Sequence, residues 1–121
     1  MNSIQRYGSN HRLSEAVVAN GFVFLSGMVP ENTKGNITEQ TADVLNQIDA
    51  WLVQCGSDKS HILEATIYLS DLNDYVCMNE VWDKWVDAQN TPARACVEAK
   101  LANAEWKVEI KVSAVQKKIE A

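Results

Sequence analysis

The C-terminal part of the chain alternates apolar and polar residues. Trp106, Val108, Ile110 and Val112 are apolar, and Lys107, Glu109, Lys111 and Ser113 lie between them. A period of two is typical of a β-strand with one buried and one polar face, so we expect Glu109 on the polar face. Nearer the N-terminus, Asn20-Gly21 separates the apolar runs 16–19 and 22–26. This dipeptide favours a type I′ turn and predicts a β-hairpin.

Two longer segments carry apolar residues at helical spacing. Segment 38–55 shows this spacing, and Gly56 follows it as a C-terminal cap. Segment 73–89 repeats the pattern before Pro92, and the β-rich run 64–70 lies between the two helices. The predicted order is therefore strand hairpin, helix, strand, helix, strand hairpin. It indicates one α+β domain over residues 1–121, a mixed sheet with both helices packed on one face.

The last two predicted strands hold the residues with the clearest chemistry. Arg94 and Cys96 are two apart and share a strand face. If their strand pairs with the C-terminal strand as a hairpin, Arg94 and Glu109 line one pocket. There a guanidinium would anchor a small carboxylate, and a glutamate would accept a proton from water. The alternative is two solvated charges, with Glu109 paired to a neighbouring lysine for under about 1 kcal/mol.

The strand at 22–25 is apolar on both faces. Phe22 and Phe24 lie on one face, and Val23 and Leu25 lie on the other. A monomer with one solvated sheet face does not need this second apolar face. Association with further copies is a natural way to cover it.

The net charge and the distribution of apolar residues indicate which classes of binding partner the protein disfavours. The formal net charge of -5 opposes binding to nucleic acid or to an anionic membrane. The polar segment 1–15 does not resemble a signal peptide, and no apolar run approaches the roughly 18 residues of a membrane span. We therefore expect a cytoplasmic protein without membrane or nucleic-acid partners.

Cysteine and histidine positions give no sign of a metal centre. The three cysteines are odd in number and have no metal-ligand spacing, and we expect Cys55 and Cys77 to be small core residues. His11 and His61 are isolated from each other and from companion ligands. The chain also lacks a Gly-rich phosphate loop and a nucleophile elbow. We expect neither a metal nor a cofactor.

Several motifs, taken together in order, resemble one known family. They are the segment 24–30 with Ser26-Gly27 and Pro30, the run Glu39-Gln40-Thr41, the segment 69–75 with Asn79 after it, and the segment 92–98 followed by Val108-Glu109-Ile110. This set is similar to the signature of the reactive-intermediate deaminase family, also called the YjgF/YER057c/UK114 family. The resemblance covers about residues 12–115.

The resemblance implies a fold, an assembly and a site. The fold would be like that of bacterial chorismate mutase, and three subunits would form a barrel-like homotrimer with each pocket between two subunits. Arg94 would hold the substrate carboxylate, and Glu109 would position the attacking water. The remaining pocket positions implied by the family are Ser26, Gly27, Asn79, Ala95, Cys96 and Leu13.

Two positions depart from the family pattern. Leu13 stands where better-known members have a pocket tyrosine, and Met28 stands where a glutamine often follows Ser-Gly. Both changes predict a more apolar pocket. Tyr7 would replace the missing phenol only if the N-terminal strand had a different register.

Three functions of different classes are compatible with this resemblance. The first is hydrolysis of reactive enamines or imines, such as 2-aminoacrylate or 2-imino acids, to 2-oxo acids and ammonia. The second is non-catalytic binding of 2-oxo acids or similar small carboxylates, which needs Arg94 but tolerates Glu109→Gln. The third is a translation-inhibiting endoribonuclease, and the acidic net charge makes it the weakest.

Overall fold

The computed structural model describes residues 3–118 and shows one six-stranded sheet with two α-helices. The elements in chain order are β1 (Gln5–Tyr7), β2 (Ala16–Ala19), β3 (Phe22–Leu25), α1 (Ile37–Gln54), β4 (Ile62–Leu69), α2 (Tyr75–Trp85), β5 (Ala93–Glu98) and β6 (Val108–Val115). Their order across the sheet is β1-β2-β3-β6-β4-β5. Only β4 and β5 run parallel, so the predicted mixed sheet is confirmed.

The predicted hairpin of the last two strands is wrong. β5 pairs in parallel with β4, with Arg94 opposite Ala65, whereas β6 lies between β3 and β4 and places Ile110 opposite Ile67. The physical reason lies in burial. β6 buries alternate residues along its whole length and therefore takes a central position, whereas β5 has no fully buried residue and lies at the edge.

The first hairpin is confirmed. β2 and β3 are antiparallel, and Asn20 and Gly21 have φ values of 53° and 81° at the turn. Two successive residues with positive φ are the requirement of a type I′ turn. β1, which was not predicted, is a three-residue edge strand paired with β2. Its mostly exposed residues carry too little apolar alternation to reveal it.

Helix α1 begins and ends as predicted to within one residue. Asn36 caps its N-terminus: the Asn36 side chain accepts from the Glu39 N–H, and the Glu39 side chain accepts from the Asn36 N–H. After its C-terminus, Gly56 has φ +79°. These caps fix both ends of the helix that covers the middle of the sheet.

Helix α2 is shorter than predicted. It ends at Trp85 because Val86 is extended, with ψ 146°, and the chain then turns at Asp87. The Asp87 carboxylate accepts from the Ser60 hydroxyl at 2.6 Å and from the Asn90 amide at 2.9 Å. This tertiary anchor ends the helix where local helical spacing continues.

Both helices pack on one face of the sheet, which we call the helix face, as predicted. Its core joins alternate strand residues to the buried sides of α1 and α2, with Leu25, Leu45, Ile48, Leu52, Ile67, Met78 and Ile110 fully buried. Cys55 belongs to this core, as predicted. Cys77 does not, because it lies beside the buried Met78 on the solvent side of α2.

The other face of the sheet, which we call the open face, is covered by no helix of residues 3–118. Phe22 and Phe24 remain 44% and 46% exposed there, while Val23 and Leu25 of the same strand are buried on the helix face. The two phenylalanine rings lie 6.4 Å apart. The prediction that this strand is apolar on both sides is confirmed.

Candidate functional site

Arg94 is held on the helix face by side chains of α2. Its Nη1 donates to Asn79 Oδ1 at 2.8 Å, and its Nη2 donates to the Tyr75 hydroxyl at 3.3 Å. The guanidinium carbon also lies 5.3 Å from the centre of the Trp82 ring. Within residues 3–118 no carboxylate forms an ion pair with Arg94. The guanidinium charge is therefore not compensated by a carboxylate of these residues, and its orientation is fixed for an anionic ligand.

Arg94 faces two open depressions. One, of about 470 Å³, is lined by Leu72, Tyr75, Arg94 and Cys96. The other, of about 360 Å³, includes the carboxyl-bearing Asp83. Because like charges repel, a carboxylate ligand favours the first depression, where Arg94 is the only charged residue among the described residues that line it.

Cys96 borders that depression as a neutral thiol. Burial raises the pKa of Cys96, and the nearby Arg94 guanidinium offsets only part of this rise. Since the thiolate is the nucleophilic form of cysteine, a raised pKa opposes covalent chemistry at neutral pH. Cys96 therefore contributes a wall of the depression.

A larger depression, of about 640 Å³, runs along α1 and has the opposite electrostatic character. Glu31, Glu39 and Asp43 line it, and no lysine or arginine does. Such a surface repels small carboxylates. The candidate site is therefore assigned to Arg94 rather than to this larger depression.

Glu109 lies on the open face, on the opposite side of the sheet from Arg94. It is opposite Tyr68 in the β4–β6 ladder, whereas Arg94 aligns with the buried Ala65. Successive residues of a strand point to opposite faces of the sheet. Ile67 shares the face of Ala65, and the next residue, Tyr68, lies on the other face, so Arg94 and Glu109 are on opposite faces. One chain therefore does not bring Arg94 and Glu109 into one pocket.

The Glu109 carboxylate lies directly against Gly27. A Cβ atom at residue 27 would overlap Oε2 and would lie 2.9 Å from Cδ of Glu109. A larger residue at position 27 would therefore displace the end of the Glu109 side chain, although the backbone of Gly27 needs no positive φ. The carboxylate is half-buried and has no side-chain hydrogen bond or ion pair within the described part of the chain.

The alternative of a simple surface ion pair does not hold in this structure. Lys111, two residues along the same strand face, instead donates from Nζ to the Leu25 carbonyl at 2.8 Å. Lys107 is also absent from the ion pairs found among residues 3–118. Glu109 consequently remains free to accept a proton or a hydrogen bond from a bound molecule.

Ser26 precedes Gly27, and its hydroxyl donates to Glu15 Oε2 at 3.2 Å. Gly27 thus has Ser26 as its chain neighbour and Glu109 against it in space, and Ser26 adds Glu15 as a further carboxylate that the sequence patterns did not single out. On the other face the structure collects Arg94, Asn79 and Cys96, with Tyr75 and Trp82 added. Two half-sites result, which we call the helix-face half-site and the open-face half-site.

The remaining predicted positions lie outside these contacts. Ala95 aligns with Thr66 and points to the open face, and Leu13 is exposed in the loop before β2. Met28 is 2% exposed and bridges to Ile110, so it belongs to the core and does not make the pocket more apolar, contrary to the expectation. Tyr7 aligns with the buried Ala16 on the helix face and does not reach the open-face half-site.

The spacing of Tyr75 and Trp82 along the sequence is compatible with two interpretations, a functional stripe and core packing. With Asn79 they stand at the spacings i, i+4 and i+7 and form one stripe of α2. The same spacing is typical of core packing, so the sequence pattern alone does not mark the two aromatic residues as part of a site. Only the pairing of β5 with β4 places Arg94 beside that stripe.

Comparison with known proteins identifies the family. The family model described as Endoribonuclease L-PSP matches residues 3–116. The chain belongs to this family. The resemblance to YjgF-type proteins is thereby confirmed. A RutC family protein of Haemophilus influenzae is 49% identical to this chain over 113 residues, which cover 93% of this chain and 97% of the relative's length. The RutC family protein YoaB of Escherichia coli is 47% identical over 112 residues, with coverage of 93% and 97%.

Solved structures of family members share the fold. A member of the YjgF protein family from Neisseria meningitidis superimposes with a TM-score of 0.94 at 62% identity, covering 97% of this chain and 98% of its own. A protein described as a putative translation initiation inhibitor from Salmonella typhimurium gives a TM-score of 0.86 at 47% identity, with coverage of 93% and 97%. Between residues 3 and 118 neither α-helix is long and apolar enough to cross a membrane.

Proposed function

We propose that the protein hydrolyses reactive enamines and 2-imino acids to 2-oxo acids and ammonia, in sites completed between the subunits of a homotrimer. The observation that carries the proposal concerns the hydrogen-bond and ion-pair partners of two charged side chains, Arg94 and Glu109. Arg94 has only neutral partners, and Glu109 has no partner within the described residues. Unpaired opposite charges of this kind suit a small carboxylate that reacts with water.

The need for more than one subunit follows from the sheet. Arg94 and Glu109 lie on opposite faces of one chain, so joining them requires the helix-face half-site of one copy to meet the open-face half-site of another. Such a contact joins two different surfaces, and a threefold rotation closes it into a ring. The exposed Phe22 and Phe24 supply apolar surface for this association.

The reaction uses the two half-sites in turn. Arg94 binds the substrate carboxylate through two N–H groups, while Asn79 and Tyr75 hold the guanidinium in place. Glu109 orients a water and accepts one of its protons as the water oxygen bonds to the imine carbon. The C=N π electrons move to nitrogen and give a carbinolamine.

The second half of the reaction releases ammonia. Glu109 returns the proton to the amino nitrogen, the C–N bond breaks as the C=O bond forms, and the hydroxyl proton leaves with the departing ammonia as ammonium. A protonated 2-imino acid and one water thus become a 2-oxo acid and ammonium. Because such imines already hydrolyse in water, positioning and charge stabilisation suffice for useful acceleration.

The test measures ammonia and 2-oxo acid from imines made in situ by an amino-acid oxidase. The wild type should accelerate release over buffer, and both Arg94→Ala and Glu109→Gln should lose the acceleration. Loss in both variants supports the deaminase with its two assigned roles. A wild type no faster than buffer contradicts it.

A non-catalytic binder of 2-oxo acids or similar small carboxylates is the second candidate. It is favoured by the completeness of the helix-face half-site, where Asn79 and Tyr75 both accept hydrogen bonds from Arg94 within one chain. A binder should lose pyruvate affinity in Arg94→Ala and retain it in Glu109→Gln. Calorimetric titration of pyruvate into both variants, beside the ammonia assay, separates binding from turnover.

The endoribonuclease reading takes its support from the family description. The net charge of -5 opposes the phosphate contacts that RNA binding needs. If the protein cleaved RNA, Arg94→Ala would leave most of that cleavage intact while removing carboxylate recognition. Incubation of both proteins with a labelled RNA decides this point.

A further inference from the structure

The Ser26 hydroxyl donates its only proton to one hydrogen-bond partner. Ser26 Oγ donates to Glu15 Oε2 at 3.2 Å, and the Ser26 N–H donates to the Glu15 carbonyl at 2.9 Å. A serine hydroxyl has a single proton and two acceptor lone pairs, and a carboxylate only accepts. With its proton on Glu15, the Ser26 oxygen can only accept hydrogen bonds from a bound molecule.

Glu15 is itself held in place by the backbone around it. Its N–H donates to the Tyr7 carbonyl at 3.0 Å. Gly8, at φ +62°, lies so close that an added Cβ would be 2.8 Å from Cγ of Glu15 and 3.1 Å from the Trp51 ring. No lysine or arginine forms an ion pair with Glu15 within residues 3–118. The carboxylate is thus fixed, half-buried and available to Ser26.

The two half-sites consequently differ in hydrogen-bonding character. Beside Gly27, the Ser26 oxygen and the Glu109 carboxylate are both acceptors. Across the sheet, the free N–H groups of Arg94 are donors. A ligand that satisfies both half-sites carries a carboxylate at one end and N–H donors at the other.

We propose that Glu15 is a positioning residue that keeps Ser26 a hydrogen-bond acceptor for the substrate nitrogen, so that the site selects the protonated imine of a 2-imino acid over the 2-oxo acid product. This inference rests on the proposed function. A 2-oxo acid has a carbonyl oxygen where the imine has N–H, and that oxygen meets only acceptors. Hydrolysis thus converts a matched ligand into a mismatched one and favours product release.

The first test is a double-mutant cycle on Glu15 and Ser26. Glu15→Gln keeps the side-chain size but adds an amide donor toward Ser26, and Ser26→Ala removes the acceptor. Each should lower kcat/KM for 2-iminopropionate by about fivefold, within the range of one hydrogen bond. If Glu15 acts through Ser26, the double variant should be no slower than Ser26→Ala alone.

A matched control removes an unrelated carboxylate. Glu31→Gln deletes a charge at an exposed position in the depression along α1 and should leave kcat/KM unchanged. Ser26→Ala also serves as a second variant, because it leaves the contact between Glu15 and Gly8 intact. Additive losses in the double variant would show separate structural effects and would overturn the inference.

The second test measures ligand choice without turnover. Alanine, whose ammonium group is a stable N–H donor, and pyruvate have the same carbon skeleton. The wild type should bind alanine more tightly than pyruvate, and Glu15→Gln should reduce the ratio of the two affinities severalfold by calorimetry. An unchanged ratio would overturn the inference.

Failure of this inference and failure of the proposed function give different results. A wild type that prefers alanine to pyruvate, with a Glu15-dependent ratio, but releases no ammonia contradicts the hydrolase and retains the acceptor role of Ser26. An active wild type whose rate and affinity ratio are unaffected by Glu15→Gln contradicts only the role of Glu15.

Discussion

The helix-face and open-face half-sites are built in contrasting ways. Arg94 is gripped by three side chains of one helix, two through hydrogen bonds and one through an aromatic face. Glu109 has no such support within the described residues and owes its position to the space left by Gly27. The cation is oriented before a ligand arrives, and the carboxylate is left free to exchange protons. The proposed function therefore assigns binding and proton transfer to different faces of one sheet.

The contrast also shows why sequence distance misleads in a β-protein. Arg94 and Glu109 lie on consecutive strands of the chain, yet β5 and β6 are not neighbours in the sheet. A shift of one residue along a strand moves a side chain to the opposite face of the sheet. A site shared by two copies is therefore the direct way to unite them.

Loss of the gripped cation should have the largest effect. Arg94→Ala should lower kcat/KM for 2-iminopropionate by about 100-fold or more, because a charge-assisted bidentate contact is lost. Steady-state kinetics with the oxidase-coupled assay measure it. Lys34→Ala removes an equal charge from an exposed ion pair with Glu105 and should change kcat/KM less than twofold, roughly the effect of a surface pair. A loss below tenfold in Arg94→Ala would show that the guanidinium does not hold the carboxylate.

Filling the space beside the free carboxylate should have the next largest effect. Gly27→Ala places a methyl group on Oε2 of Glu109 and should displace that side chain. We expect kcat to fall about tenfold with little change in KM, since a misplaced base affects the chemical step. Gly21→Ala is a useful comparison because its new Cβ meets no atom within 4 Å, although its φ of +81° adds backbone strain. Unchanged kcat in Gly27→Ala would separate Glu109 from the chemistry.

Loosening the grip on Arg94 should have the smallest effect of the three. Asn79→Ala removes the acceptor at 2.8 Å from Nη1 while Tyr75 and Trp82 remain. We expect KM to rise about threefold with kcat nearly constant, corresponding to one hydrogen bond of ordinary strength. Glu80→Ala, a neighbouring exposed change on the same helix, serves as the control. A fall in kcat with constant KM would assign Asn79 a role in the reaction itself.

Sequence patterns predicted the elements better than their pairing. The Asn20-Gly21 turn, the extent of α1 and the single helix-covered face follow from local spacing and are confirmed. The end of α2 was misplaced because Ser60, distant in sequence, anchors Asp87. The pairing of β5 was wrong because alternation fixes the faces of a strand but not its neighbours.

The candidate site was predictable in part. Arg94, Asn79 and Cys96 were placed together by the resemblance, and the structure brings them together on the helix face. Tyr75 was hidden because its helical spacing equals that of a core residue. Glu15 was missed because its contact with Ser26 depends on the turn of chain between β1 and β2, which no periodicity describes.

The central claim is that one working site takes Arg94 from one subunit and Glu109 from another. It is tested most directly by mixing the two inactive variants, Arg94→Ala and Glu109→Gln, by unfolding and refolding them together in equal amounts. If sites form between subunits, random assembly restores both residues in about one quarter of the sites. We predict ammonia release at about a quarter of the wild-type rate, while each variant refolded alone stays inactive. A mixture no more active than its two components would contradict the shared site.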